Sequence, residues 1–287
     1  MRHVPFFLIA SLFANTSIRA QDLFVEAHST FQFPIGGITA SEAKWEVSPN
    51  NGQRFAHIKK VNLNWGRGPG VGLLIGYRLN DHMEAVLRST FFAFQHTRWT
   101  SYHVTDADGI VRENDRATLS MRYLRIEPAV RIRTGMGRTS WYLMVGPSFA
   151  MLPKSTWSEN NEQDVPTPWI GHVESTTESS GRVGLGGSGA VGFMYQPGRI
   201  GFFGEINATA MSWVPKRSKL TRFDQNGTDV LHTVSVYDAE TEFVNEYDYG
   251  VYPVDPDKPR KSLHIQYPMS TWGILVGVRL NLAKNKA

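Results

Sequence analysis

Cysteine is absent from the 287 residues. That excludes a disulfide scaffold, and it excludes a lipid-modified cysteine behind a signal sequence. Beyond the N-terminus no run of 18 or more apolar residues occurs, so no membrane-spanning helix is expected there. Basic runs are missing as well. The 30 lysines and arginines are scattered among 26 acids and no nucleic-acid motif is present, so nucleic-acid binding is not expected.

The first twenty residues, MRHVPFFLIASLFANTSIRA, read as a secretory signal peptide. Arg2 and His3 form its basic end, Val4 to Ala14 its apolar core, and Ala20 the small residue at the cut. The competing reading, an anchor helix, needs a longer apolar core than this one. Residues 21–287 then form the mature domain.

What the mature chain has is alternation. In Thr271 to Leu282, TWGILVGVRLNL, one face carries Trp272, Ile274, Val276, Val278, Leu280 and Leu282. The other carries Thr271, Gly273, Leu275, Gly277, Arg279 and Asn281. A period of two is the mark of a strand with one greasy face. The same design recurs at Leu23–Phe33, Pro69–Leu79, Met83–Thr97, Leu119–Arg133, Ser140–Met151, Gly181–Tyr195 and Ile200–Ser212. Within Leu119–Arg133 the apolar residues Leu119 and Met121 fall out of phase with Leu124 to Ile132, which predicts a bulge near Arg122 or Tyr123.

Eight strands are therefore expected, joined alternately by short and long connections. Short turns lie at 80–82, 135–138 and 197–199, and long loops near 34–67, 98–116, 152–180 and 213–268. In an up-and-down meander, alternate connections fall at the same end. One end then has tight turns and the other all the long loops, as in a bacterial outer-membrane barrel. The fold class expected is all-β: a transmembrane up-and-down antiparallel β-barrel of eight strands, with short periplasmic turns and long extracellular loops. Its place is the outer membrane of a Gram-negative bacterium.

A soluble lipocalin-like barrel, greasy face inward, competes with this reading. Three features favour the membrane. The loops are asymmetric. Glycines Gly72, Gly76, Gly184, Gly186, Gly192, Gly273 and Gly277 line the face opposite the bulky residues, where a narrow lumen needs room. Aromatics mark strand ends, with Trp65, Trp99, Trp213 and Trp272 near the long loops and Tyr77, Trp141 and Tyr195 near the short turns, as in two interfacial girdles. The lumen face then holds Glu26, Arg78, Glu84, Arg88, Arg125, Glu127, Arg131, Arg133, Glu205 and Arg279. In a barrel this narrow they make a packed, ion-paired plug. The alternative is a gated pore with these pairs as its gate.

With those residues in view, the chain resembles the small outer-membrane barrels of the OmpA and OmpX type, and the eight-stranded outer-membrane β-barrel family abundant in Bacteroidetes. The resemblance rests on Tyr123-Leu124-Arg125-Ile126-Glu127-Pro128, similar to that family's "YLEIP" strand, and on the ending Gly277-Val278-Arg279-Leu280-Asn281-Leu282. That ending resembles the signal read by barrel-assembly machinery, but closes on Leu282 rather than an aromatic and is followed by Ala283 to Ala287. The resemblance implies outer-membrane lipid and the assembly machinery as partners. It implies no shared catalytic residues.

Candidate chemistry is thin, and no catalytic, cofactor or metal residues are assigned. Asp106-Ala107-Asp108-Gly109 starts like a calcium loop but lacks the third acid and the distal glutamate, and reads better as a turn. A lipid-modifying enzyme would need a histidine and serine together. His28 and Ser29 point to opposite faces, which leaves His172 and Ser175 with Glu174, in a loop, as a pair able to meet. The aspartates Asp224, Asp229, Asp238, Asp248, Asp255 and Asp257 would suit a barrel protease or a merely solvated loop.

The loops offer surface instead. Asn51-Gly52, Asp108-Gly109 and Asn226-Gly227 read as hairpin turns that carry the strands above the membrane as a ribbon wall. Exposed edges of such a wall accept partner strands. The expected function is a surface structural or binding protein, adhesin- or receptor-like, with an unidentified extracellular or protein partner. The alternatives are a lipid-modifying enzyme, a small-solute pore, or a component of a secretion machinery. The partner loop is expected at 213–268, where Tyr237, Tyr247, Tyr249 and Tyr252 sit among acids.

Overall fold

The computed structural model describes residues 23–47, 54–105, 111–135, 137–163, 171–247 and 255–282. The predicted signal peptide, the Asp106–Gly109 turn, the turn at Asn51-Gly52 and the tail after Leu282 lie outside them. Almost everything described is strand. In chain order the strands are β1 (Leu23–Pro34), β2 (Ile38–Val47), β3 (Arg54–Leu63), β4 (Gly68–Arg78), β5 (Met83–Thr105) and β6 (Val111–Arg133). Then come β7 (Thr139–Gln163), β8 (His172–Gly181), β9 (Gly184–Tyr195), β10 (Ile200–Trp213) and β11 (Pro215–Gln225). Last are β12 (Thr228–Asp229), β13 (Glu240–Val244), β14 (Arg260–Leu263), β15 (Tyr267–Pro268) and β16 (Thr271–Asn281). Among the described residues, helix is confined to a single 3-10 turn, Leu231–Thr233, and to the four-residue α1 (Val236–Ala239).

The expected count of eight is corrected: the described residues form sixteen strands in one sheet. All eight predicted strands are present, as β1, β4, β5, β6, β7, β9, β10 and β16. The added ones occupy stretches read as loops. The eight pair antiparallel in succession, β1–β4–β5–β6–β7–β9–β10–β16, and β16 pairs back onto β1 from Phe24↔Asn281 to Pro34↔Thr271. The pairing circuit is closed, so none of the eight is left with a free edge along this stretch.

Alternation sets the two faces of the circuit. Glu26, His28, Thr30 and Gln32 are buried while Ser29 and Phe31 are exposed. In β4 and β7, Val71 (60% exposed), Ile75, Leu143 and Val145 point out. The inward face needs small residues where a large neighbour leans across. The register sets His28 opposite Gly72, Phe24 opposite Gly76 and Tyr142 opposite Gly192, and each ring fills the space that a Cβ on its glycine would occupy. At these three positions the inward glycine makes room for a ring on the next strand.

The expected bulge is present at the right level but on the neighbours. β6 keeps one phase throughout: Leu119, Met121, Tyr123, Arg125 and Glu127 are all buried. Its partners absorb the irregularity. In β7 the register shifts between Arg122↔Lys154 and Leu124↔Met151, so Leu152 and Pro153 share the place opposite Tyr123. Leu152 has φ 51 and is 84% exposed. In β5 the shift lies between Phe92 and Gln95. Each extra residue flips the phase of its strand. That is how Ser148 and Ala150 before the β7 bulge, and Ser155 after it, all come to be buried.

The girdle reading is corrected for three tryptophans. Trp65, Trp99 and Trp213 are buried, not outward. They join Leu63, Phe92, Leu119, Met121, Tyr123, Met211 and Met269 in one apolar cluster at the long-loop end of the circuit. Tyr267 stacks on Trp65 at 4.3 Å and leans on Trp213 at 5.7 Å. Trp272 and Trp141 do face outward, Trp272 stacked on Phe33 at 4.5 Å.

Three strands run far past the circuit. β5, β6 and β7 have 23, 23 and 25 residues, against about 9–11 for a strand that crosses a bilayer. Their extensions carry the added strands. β8 pairs with β7 and β11, and β13 follows β11 and pairs with β14. On the other side β2 pairs parallel with β5 and antiparallel with β3. The Asn226-Gly227 turn between β11 and β12 has φ 52 and 78, as a two-residue hairpin turn of that sequence requires.

Candidate functional site

The sequence-predicted polar network lies together inside the circuit. Glu26, Glu84, Arg88, Arg125, Glu127, Arg131, Arg133, Glu205 and Arg279 are buried, and Arg78 is half-buried. Each sits on the inward parity of its strand, six of the eight circuit strands contribute, and the register stacks them in tiers.

Nearest the short turns, two glutamates meet three arginines. Arg131 donates from Nη1 and Nη2 to the two carboxylate oxygens of Glu26. Arg279 does the same to Glu84, at 3.1 and 2.7 Å. Arg133 reaches Glu84 Oε1 at 2.9 Å and the Ser140 hydroxyl at 2.8 Å. Fork-to-fork pairs of this kind are the strong form of the arginine–carboxylate contact. The Arg279 guanidinium also lies 3.4 Å from the Phe24 ring centroid, and Arg131 lies 4.6 Å from that of Tyr142.

The middle tier is built around Glu205. Arg88 donates to both of its oxygens at 2.8 and 2.6 Å, and the Tyr142 hydroxyl adds a third bond at 3.1 Å. Arg125 Nε stands 3.3 Å from Glu127 Oε2, and its Nη1 donates to Thr209 Oγ1 at 3.2 Å. Above this the interior turns neutral. Thr271 donates to Gln32 Oε1, and Gln32 Nε2 donates to Asn207 Oδ1 and Thr30 Oγ1. The aromatic cluster around Trp213 closes the stack at the long-loop end.

That cluster is the element sequence reasoning missed. The signal was present for Trp213: β10 buries Glu205, Asn207, Thr209, Met211 and Trp213, so the tryptophan continues the inward parity of its own strand. Trp99 could not be assigned by counting, because the β5 bulge lies between it and the residues that fix the phase.

No protein-family model matches this chain, and no curated protein is similar to it in sequence.

The long-loop residues are strand-bound. His172 and Glu174 share one face of β8, with His172 Nε2 3.1 Å from Glu174 Oε1, and Glu174 also takes Arg222. Ser175 falls on the opposite face by parity, so the pair left open in the sequence, His172 with Ser175, is not brought together. The paired Asp224 carboxylate raises the Arg222 guanidinium pKa. Among the described residues no group of three or more histidines, aspartates and glutamates is placed to hold a metal ion. Of the expected partner-loop tyrosines, Tyr237 lies half-buried on α1 and its N–H donates to Pro256 O. Tyr247 is exposed beyond β13. Tyr249 and Tyr252 lie outside the described residues.

Proposed function

We propose that the closed circuit is a transmembrane β-barrel of the outer membrane, plugged inside, and that the strands rising from it present a binding surface to the exterior. The observation that carries this reading is the inversion of the ordinary globular pattern. Four glutamates and five arginines are buried. Around the circuit, meanwhile, Val71, Leu73, Ile75, Leu87, Val145, Val191, Phe202, Ile206, Ile274 and Val276 are each about half exposed or more. Contiguous apolar surface of that extent is a liability in water and a requirement in lipid. A closed circuit also satisfies the rule that every backbone group in lipid must find a partner within the protein. The resemblance to the OmpA and OmpX type agrees with the same arrangement.

The plugged interior follows from its contents. Paired side chains fill the tiers, and the tryptophan cluster caps them. The surface reading rests on the ends of the pairing path. β3 and β14 stand at those ends, each bonded on one side only among the described strands. A strand edge held above a membrane is a template for an extended partner segment.

The test is deletion of residues 220–262 in cells that display the protein. The circuit strands are untouched, and loop deletions of this kind are tolerated. The shortened protein is expected to reach the surface with binding through the β14 end lost. Retention of binding to every partner found for the full-length chain would place recognition elsewhere.

A further inference from the structure

One cavity interrupts the wall of the circuit at its long-loop end. β4 pairs with β1 as far as Gln32↔Gly68, but with β5 only as far as Gly70↔Phe92. Beyond Phe92 the register of β5 shifts against β6. At this corner lies a cavity of about 160 Å³. Its lining draws on both faces of the sheet. Phe31 and Pro69 face outward, whereas Leu119 is buried inside. The cavity therefore spans the wall, at the upper rim of the apolar surface made by Phe31, Val71 and Phe91.

Four donors line it, and none has a partner. The Arg67 side chain is exposed and forms no ion pair with a described residue. The Trp65 indole N–H belongs to a residue 4% exposed and has no hydrogen-bond partner. The hydroxyls of Thr97, on β5, and Ser120, on β6, bond to no described residue. A buried N–H without an acceptor is costly, and the cavity it lines far exceeds the about 15 Å³ that one water needs. The strand entry that carries two of the donors is fixed in place. Asn64 Nδ2 donates to Gly36 O at 3.2 Å and to Ser270 O at 3.0 Å. Asn64 Oδ1 accepts from the Gly66 N–H at 2.8 Å, and the Trp65 backbone N–H donates to Pro268 O at 3.0 Å. Donors on a backbone held this way lose little freedom when a ligand arrives.

We propose that this cavity takes the phosphate group of a membrane lipid, with Arg67 supplying the charge and Trp65 Nε1, Thr97 and Ser120 the neutral donors. One cation among neutral donors suits an anion with several acceptor oxygens. A free phosphate would leave the apolar part of the lining, Phe31, Pro69 and Leu119, against water. A lipid lays the start of its acyl chains there. The lipid comes from the leaflet at the long-loop end, an assignment that rests on the transmembrane reading of the circuit.

The test uses the full chain refolded into maltoside micelles, which bring no phosphate of their own. Native mass spectrometry follows the binding of dihexanoyl phosphatidic acid, of phosphate-free dihexanoylglycerol and of inorganic phosphate. Phosphatidic acid is expected to bind one to one, and more tightly than the other two. Arg67→Gln and Trp65→Phe should each weaken it about tenfold, the worth of one hydrogen bond to a charged group. Arg67 is exposed, so its replacement leaves folding untouched, and Trp65→Phe keeps a ring against Tyr267. Arg182→Gln removes an exposed arginine at the same end, outside the cavity, and should change nothing. Equal weakening by all three variants, an affinity unchanged by Arg67→Gln or Trp65→Phe, or either control probe bound as tightly as phosphatidic acid would overturn the proposal. Water-exposed cysteine labels on the apolar face of β16 would overturn the membrane source of the ligand even with phosphatidic acid bound, whereas lipid-facing labels with no phosphatidic acid bound would overturn the site alone.

Discussion

Arg131, Arg133 and Arg279 share Glu84, which accepts from Arg279 through both oxygens and from each of the other two once. Glu84→Gln would leave three buried guanidinium groups with one carboxylate, Glu26, among them. Breaking a buried ion pair from one side costs about 3–5 kcal/mol, and a loss of at least that size is expected for Glu84→Gln in urea unfolding of the micelle-bound protein. Removing both partners of a pair costs less than removing one. The double change Arg88→Met with Glu205→Met should therefore unfold at higher urea than Glu205→Met alone. The ten network residues were legible one by one, since each charge interrupts an apolar alternation and only one face of the strand can hold it. Their partners were not. Arg131 meets Glu26 across 105 positions of sequence, and no spacing rule reaches that far.

At the scale of elements, the phase of each strand was legible and its breaks were not. Leu119 and Met121 looked out of step because apolar residues were taken as outward. They are inward, and it is the interior that changes from ionic to aromatic at that height. The irregularity belongs to β5 and β7. Leu152 occupies a left-handed conformation that costs a leucine about 1–3 kcal/mol. Leu152→Gly should leave assembly intact, as judged by the folded band on an unboiled gel. Deletion of Leu152 should keep that band too, because Pro153 alone is then left opposite Tyr123 and Ser148, Ala150 and Ser155 fall on one continuous inward parity. The loop strands were partly legible. Asn226-Gly227 gave away its hairpin, whereas β8, with the sequence HVESTTESSG, shows no apolar alternation to reveal a strand. It is held by pairing on both sides, and polar residues suffice on both of its faces.

At the scale of the molecule, one consequence of the filled interior is electrical. Planar-bilayer recording of the refolded protein should show no stable, large conductance, since the aromatic cluster caps tiers of paired charges; a steady porin-like current would mean that the plug is not one. The broader consequence concerns which face meets lipid, and the absence of cysteine makes it directly measurable. Single cysteines introduced along β16 at Ile274, Val276 and Leu280 carry no background from native thiols. Coupled to a fluorophore in vesicles, each is expected to be quenched by a lipid-borne quencher and spared by one confined to water, while a label at the inward Thr271 is spared by the lipid-borne quencher. Labels at Ile274, Val276 and Leu280 that respond to the aqueous quencher, with the lipid-borne one silent, would contradict the membrane reading of the fold.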